Sequence, residues 1–363
     1  MSWTLEVRGL RGASWIHGGS GVMDMLLERG ARLSAHGRRA FVVTDANVAR
    51  LWGRHILEKL GVCSGDERMR VVAAGELSKS VAEVEECWDW LTQVGARRDD
   101  VLVGLGGGVV GDLAGFVAAT YLRGMELWQV PTSLLAQVDS SVGGKNGVNL
   151  AAGKNLAGTF YQPDVVLADP LLLDTLPNLE FRNGLGEVVK YGLLEGDDLF
   201  FLLESRAEAI RGREPAVMAE IVEWCVGYKA RVVEADEMDR GERATLNLGH
   251  TTGHALERAL GFGVMGHGFA VALGLLVALA ASEEVLGTDP SLRRRTRALL
   301  EALGLLVSLP LPPLDGLLSA MSKDKKATGK GLGFVGIQAL GRPVRDLDLT
   351  TPVLERALRV IGS

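Results

Sequence analysis

Cysteine is scarce in this chain: Cys63, Cys87 and Cys225 are the only three in 363 residues, and no two stand as Cys-x-x-Cys. That spacing argues against a disulfide framework or a cysteine zinc site and suits a reducing compartment, so a cytoplasmic protein is expected. Positive charge is not in excess either. Lysine and arginine number 39 against 45 acidic residues, a formal charge of −6, which argues against wholesale attraction to nucleic acid. An anionic ligand would need a local basic cluster. The longest apolar stretch, Phe269 to Ala281, is shorter than the ~20 residues a bilayer span requires and reads as a buried helix, so no membrane partner is expected. The first residues show no basic-then-apolar signal pattern. No internal repeat and no low-complexity tail occur.

An apolar fraction of 47% supports a substantial core. Short apolar runs at Phe41–Asp45, Val71–Gly75, Val101–Leu105, Leu127–Val130 and Val165–Ala168 read as strands, with helical periodicity around 47–60 and 80–94 between them. Near-continuous apolar strands interleaved with helices imply a parallel sheet covered on both faces. Beyond about Thr175 the pattern becomes helical: Glu187–Glu195, Leu199–Arg211, Ala216–Glu234, His250–Leu260, His267–Leu286, Leu292–Leu303 and Leu314–Lys323, with one late strand at Gly333–Ile337. The expectation is an α/β protein, with a Rossmann-like parallel-sheet domain over 1–175 and a mostly α-helical domain over 176–363. Pro170 and Pro177 bracket the change.

Several polar motifs stand out. Gly106 to Gly111 fits G-x-G-x-x-G between a strand and a helix, where bare backbone and a helix N-terminus can receive a pyrophosphate. No acidic residue stands clearly at the usual distance beyond it. Asp45 and Asn47, closing an earlier strand, are better placed for ribose or adenine. Gly144-Lys145-Asn146 and Gly153-Lys154-Asn155 resemble P-loop fragments, but Asn stands where Ser or Thr would hold magnesium, so a nucleotide triphosphatase is rejected. Lys145 and Lys154 remain anion ligands in Gly-rich loops. Glu187 and Lys190 share a helical face with apolar flanks, which favours a lined cleft over an exposed ion pair. His250 and His254 are one turn apart without the Glu of H-E-x-x-H, which excludes a zincin protease. His267 follows in a Gly-rich loop, and with Glu187 it makes up a His₂-carboxylate set with open positions. Arg123, Lys229, Arg243 and the Asp324-Lys325-Lys326 run would clamp a phosphate or carboxylate. Together these motifs read as a nucleotide cofactor, a phosphorylated substrate and a divalent metal in one cleft.

Five segments in this order resemble the 3-dehydroquinate synthase family over about residues 40–340: Gly106–Phe116, Pro131–Lys145, Gly184–Lys190, Arg243–His254 and Asp324–Lys326. The resemblance implies bound NAD, a zinc ion for which cobalt substitutes, and a homodimer. It implies NAD contacts from Asp45, Asn47, Glu76, Lys79, Gly107, Gly108, Val109, Asp112, Thr132, Ser133, Lys145, Lys154 and Thr175. Glu187, His250 and His267 match metal ligands. Arg123, Asp139, Lys145, Asn155, Lys190, Lys229, Arg243, Asn247, His254 and Lys325 match positions that bind a phosphorylated sugar acid, with Lys326 the alternative to Lys325. The implied reaction takes 3-deoxy-D-arabino-heptulosonate 7-phosphate through transient oxidation, phosphate loss, reduction, ring opening and aldol closure, so that NAD is recycled.

Three positions depart from the family's pattern. Asp239 stands where Glu is usual, Ser133 where Thr is frequent, and Phe269 where Glu is common two residues after His267. Rival readings are another sugar phosphate cyclase, a metal-dependent polyol dehydrogenase that releases NADH, and a non-catalytic NAD-binding regulator. The phosphate and carboxylate clamp favours the synthase over the dehydrogenase, and retention of all three candidate ligands argues against the regulator.

Overall fold

The computed structural model describes residues 2–62, 67–261, 264–306, 312–313, 315–321 and 334–362. By internal contact the chain forms two units: Met1–Leu176 with Met218–Met238, and Pro177–Val217 with Asp239–Ser363. Met218–Met238 was expected in the second domain and instead packs with the first, a return that helical periodicity alone does not reveal.

The strands of the first unit are β1 (Trp3–Gly9), β2 (Gly12–Gly18), β3 (Ala40–Asp45), β4 (Met69–Val72), β5 (Val101–Gly106), β6 (Glu126–Pro131), β7 (Lys145–Leu150), β8 (Gly153–Phe160) and β9 (Val165–Ala168). Seven of them form a sheet in the order β1-β2-β9-β6-β5-β3-β4, parallel from β2 to β4, with β1 antiparallel at the edge. Alternate residues explain the continuous apolar runs. Phe41, Val43 and Leu102 enter one core with the helices Val81–Gln93 and Gly108–Thr120. Val42, Val101, Val103 and Leu105 enter a second core on the opposite face with Met25–Ala35 and Arg54–Lys59. Each large apolar side chain so buried is worth about 1.5–3 kcal/mol.

Strand β3 connects to β4 on one side, whereas β5 lies on its other side and the chain then proceeds through β6. The crevice at the carboxyl ends of β3 and β5 is the topological switch point, where open α/β sheets receive ligands. The opposite edge of the sheet is blunted by Met218–Met238. Glu234 Oε1 accepts the Arg8 backbone N–H at 2.9 Å, and Glu237 Oε2 accepts that of Leu10 at 2.6 Å. Donors that would otherwise invite strand addition are thereby occupied.

Two hairpins depart from the sequence reading. Strands β1 and β2 lay in a stretch with little chemical signal. The two Gly-Lys-Asn segments, expected as loops, fall instead in an antiparallel ribbon of Lys145–Leu150 and Gly153–Phe160 outside the main sheet. The ribbon is buried only at Gly147 and Val148 and is rich in glycine and asparagine, so it carries no period-two apolar signal. The segment expected as one helix at 199–211 breaks at Arg206 into Asp197–Ser205 and Ala207–Arg211.

The second unit is mostly helical. Its central helix, His267–Leu286, is buried through most of its length and ends on Gly287 in the left-handed conformation, φ 69°. Among the described helices it alone is long and apolar enough to cross a membrane, and it is a core helix here. Helices Asn178–Glu195, His250–Leu260 and Pro290–Ala302 belong to the same unit. Strands β10 (Phe334–Ala339) and β11 (Arg342–Leu347) form a small antiparallel ribbon. Ser282 Oγ accepts the Ile337 N–H at 3.0 Å, which fixes that ribbon to the central helix. β11 was not expected from sequence.

Candidate functional site

In the first unit, β5 runs into Gly107 and the helix Gly108–Thr120, whose N-terminus takes no side-chain cap. A Cβ on Gly107 would stand 3.2 Å from Ser133 Oγ, and one on Gly108 2.9 Å from Ser140 Oγ. Glycine is therefore what lets the segment after β6 close on this turn. Ser140 Oγ is buried there without a hydrogen-bond partner among the described residues. Free helix-terminal N–H groups, glycine walls and hydroxyls are the donor set a pyrophosphate needs, so the turn fits the phosphates of NAD. Val109 sits in the first turn of the helix, and Thr132 donates its backbone N–H to Gly106 O at 2.9 Å. Asp45, at the end of β3, spends Oδ1 on capping its own helix, through Asn47 N at 2.8 Å and Val48 N at 3.1 Å. Thr175 Oγ1 accepts from Trp52 Nε1 at 2.9 Å, which brings it beside the helical segment following β3.

A polar network joins residues assigned to cofactor and to substrate. Buried Lys79 donates through Nζ to Asp112 Oδ2, and to Asn155 Oδ1 at 2.6 Å. Burial pushes the Asp112 carboxyl above its usual range, with the Lys79 ammonium pulling against it. Asn149 links the rest. Its Oδ1 accepts the Asn155 N–H at 3.0 Å, its Nδ2 donates to Glu76 Oε1 at 2.8 Å, and its backbone N–H donates to Lys79 O at 2.8 Å. Within the same unit, Lys229 Nζ donates to Asp139 O at 2.7 Å and to Asp139 Oδ1 at 2.5 Å. The returning helix explains this pair, 90 residues apart in the chain.

Other residues are not brought together. In the ribbon, Lys145 pairs with Phe160 while Lys154 and Asn155 lie next to the turn at Leu150–Gly153, so the two Gly-Lys-Asn segments sit at opposite ends, roughly 15 Å apart at about 3.3 Å per residue. Arg123 is exposed beyond the C-terminus of the helix Gly108–Thr120, near the start of β6. That helix separates it from the Gly107 turn by about 20 Å at 1.5 Å per residue.

In the second unit Glu187 is fully buried. Its Oε1 lies 3.3 Å from both His250 Nε2 and His267 Nε2, and its Oε2 lies 2.5 Å from Lys190 Nζ. These nitrogens stand close without hydrogen-bonding geometry, and neither oxygen has a directed hydrogen bond among the described residues. Burial works to raise the Glu187 carboxyl, but Lys190, His250 and His267 overcome it and hold it well below the carboxylate range. Burial likewise opposes charge on His267, and Glu187 and Glu257 outweigh it, lifting the imidazole to about 10. One atom from each of Glu187, His250 and His267 falls within 4.8 Å of the others, and this carboxylate-imidazole set fits a divalent metal.

Backbone contact makes this convergence possible. A Cβ on Gly186 would stand 2.1 Å from Gly268 O, and one on Gly268 1.7 Å from Asn183 O. The helices Asn178–Glu195 and His267–Leu286 therefore touch main chain to main chain beside Glu187 and His267. The His254 ring centroid lies 5.5 Å from that of His250 and 5.8 Å from that of His267. Arg243 is buried and Asn247 exposed in the short helix Glu242–Asn247. Asp239, one of the three departures, adopts φ 55°. Phe269 is buried. Lys325 and Lys326 lie outside the described residues.

Sequence reading passed over Asn149, Asn183 and Glu257. Only Glu257 had a signal, since it follows His250 by seven residues and His254 by three on one helical face.

Comparison with known proteins divides the chain near residue 183, with Met218–Met238 on the C-terminal side. Residues 69–183 match the 3-dehydroquinate synthase N-terminal family and residues 184–327 its C-terminal family. The 3-dehydroquinate synthase of Acidithiobacillus ferrooxidans is 45% identical over 303 residues, 84% of this chain and 83% of that protein. A solved 2-deoxy-scyllo-inosose synthase complexed with carbaglucose-6-phosphate, NAD+ and Co2+ has the same fold, with a TM-score of 0.87 at 24% identity over 99% of this chain and 100% of that one. A 2-epi-5-epi-valiolone synthase from Streptomyces hygroscopicus subsp. jinggangensis, with NAD+ and Zn2+ bound, aligns with a TM-score of 0.80 at 26% identity over 90% of this chain and 91% of that one.

Proposed function

Because the chain belongs to the 3-dehydroquinate synthase family, we propose that it converts 3-deoxy-D-arabino-heptulosonate 7-phosphate to 3-dehydroquinate and phosphate, a lyase step of the shikimate pathway toward the aromatic amino acids. The observation that carries the reading is the sealed Glu187 carboxylate with two imidazole nitrogens on one of its oxygens.

NAD at the Gly107 turn would supply a reversible hydride acceptor, and a zinc or cobalt ion on Glu187, His250 and His267 a Lewis acid. The chain's own residues do the rest. Asp45, Asn47, Thr132, Ser133, Lys154 and Thr175 hold the dinucleotide beside the turn, and Glu76, Lys79 and Asp112 keep its substrate-facing end in register with Asn155. Lys229, fixed by Asp139, and Arg243 hold the substrate carboxylate and ring hydroxyls. Lys145 and Lys325 neutralise the phosphate, which leaves more readily when its charge is matched. Lys190 and His254 orient hydroxyls and pass protons, and Asn247 offers its amide to a substrate hydroxyl. A substrate held through several chemical steps needs this many fixed polar contacts.

Arg123 belongs to the same phosphate set yet lies about a helix length from the turn. A homodimer in which a second copy supplies it is part of the proposal, and a solution mass of one chain, 38.7 kDa, would remove it. The reading places the protein in the cytoplasm, beside the other enzymes of such a pathway.

The direct test follows phosphate release from the heptulosonate phosphate with a small amount of NAD and one equivalent of zinc, while NADH absorbance is recorded. Phosphate in molar excess over NAD with no net NADH supports the synthase. Steady NADH formation on polyols without phosphate release replaces it with a dehydrogenase.

A further inference from the structure

His267 is held from two sides. Its Nε2 faces Glu187 Oε1 at 3.3 Å, and its Nδ1 faces Glu257 Oε2 at 3.2 Å. A neutral imidazole carries one N–H, and the acceptor at one nitrogen decides which nitrogen keeps the free lone pair. A carboxylate at Nδ1 places the proton there and leaves Nε2 as the ligand atom. His250 obeys the same rule with a main-chain acceptor, since its Nδ1 lies 3.3 Å from Leu248 O. The two rings differ in how firmly they are otherwise held. The His250 side chain is 13% exposed and that of His267 29%, so the ring at the start of the central helix has the larger space to turn in. Phe269, two residues further on, is buried and offers no acceptor. Glu257 is itself 12% exposed at its side chain and projects from the helix that carries His250 and His254.

From this geometry we propose that Glu257 is a positioning residue for the metal centre, fixing the His267 ring and its tautomer so that Nε2 meets the ion. The inference rests on the metal ligands assigned above. It has one structural competitor, because His254, Glu257 and His267 also offer atoms within 4.8 Å of one another and would form a second cation cluster sharing His267.

The test uses the full chain with Co2+ as probe. Ion stoichiometry, the dissociation constant from competition with a chromophoric chelator, and the visible absorption of bound Co2+ are measured for wild type, Glu257→Gln, Glu257→Ala and His250→Ala. The expected result is one ion per chain in wild type. Glu257→Ala binds about 10–100-fold more weakly with an altered Co2+ band. Glu257→Gln falls between, because its amide oxygen still accepts from Nδ1. NAD affinity and the melting temperature of the metal-free protein stay at wild-type values in Glu257→Gln, which separates positioning from folding. Wild-type affinity and spectrum in Glu257→Ala would overturn the proposal. So would two ions per wild-type chain falling to one in Glu257→Ala, which would make Glu257 a ligand. Loss of the underlying metal assignment shows differently, as wild-type affinity in His250→Ala.

Discussion

Asn149 Oδ1 accepts the main-chain N–H of Asn155 at 3.0 Å, and Asn155 adopts a left-handed backbone, φ 57°. The bond fixes a conformation that a side-chain-bearing residue rarely takes, and it does so next to the Lys79 ammonium that Asn155 Oδ1 receives at 2.6 Å. Asn149→Ala is expected to cost about 1–2 kcal/mol of stability and to lower kcat/KM about tenfold or more, with metal content unchanged. Asn155→Gly is the contrasting variant. Glycine accepts the backbone angle freely, so stability holds while the Lys79 contact and the activity are lost. Thermal melts and steady-state kinetics on the two variants decide the matter. Equal stability loss in both would show that the backbone angle is not what Asn149 maintains.

The Lys229–Asp139 pair should behave as one device. Lys229→Met and Asp139→Asn are each expected to lower kcat/KM about 10–100-fold, with NAD affinity unchanged. The double variant should lose little more than either single one, because each change already dismantles the shared contact. Fully additive losses in the cycle would separate the two roles.

Gly268 is expected to tolerate no side chain. Gly268→Ala places a Cβ 1.7 Å from Asn183 O, so the helices bearing Glu187 and His267 must part. The expected cost is about 1–3 kcal/mol or more, with a matching fall in metal affinity. Gly316→Ala, whose Cβ meets nothing within 4 Å, is the control and should be neutral or slightly stabilising. Chelator competition and melting temperature report both effects, and an unchanged Gly268→Ala protein would refute the main-chain contact.

Acid sensitivity has an identifiable source in Asp100. Its buried carboxylate accepts the main-chain N–H of Arg39 at 2.7 Å and of Arg97 at 2.9 Å, and the Arg39 guanidinium at 3.1 Å. Burial works to raise its pKa, but these donors prevail and lower it below the ordinary value. A depressed folded-state pKa contributes stability that is present above the unfolded value, about 4, and is lost as pH falls through the folded value. Urea unfolding between neutral pH and about pH 3 should therefore show stability falling at the acid end. Asp100→Asn should lack part of that slope and start about 1–3 kcal/mol lower at neutral pH, because its amide group faces donors. An identical pH slope in the variant would exonerate Asp100.

Much of the fold was legible because its signals are local. Val165–Ala168, His250–Leu260 and His267–Leu286 are read directly from apolar periodicity, and the glycine turn from its place between strand and helix. What stayed hidden depends on distant parts of the chain. The Lys229–Asp139 contact requires Met218–Met238 to rejoin the first unit, which no window of sequence contains. Strands β7 and β8 have polar, exposed residues where a strand's alternation would show. Asn149 works through three hydrogen bonds to residues 6, 70 and 73 positions away in the chain, and an isolated asparagine gives no warning of that. The histidine pair was visible at helical spacing, whereas the carboxylate behind His267 required the helix to be placed.

His267 is the first residue of the helix whose body, through Leu279, is the buried centre of the second unit. With an ion held by His267 as proposed, ion occupancy and core packing would share one free energy. On the proposed metal assignment, a lesion at Leu276, well along the helix from His267, would loosen the presentation of that ring and lower apparent metal affinity, and a saturating ion would mask that same lesion. Metal supply would thus set how much sequence drift this half of the chain absorbs: variants that pass as neutral when the ion is plentiful become defective when it is scarce.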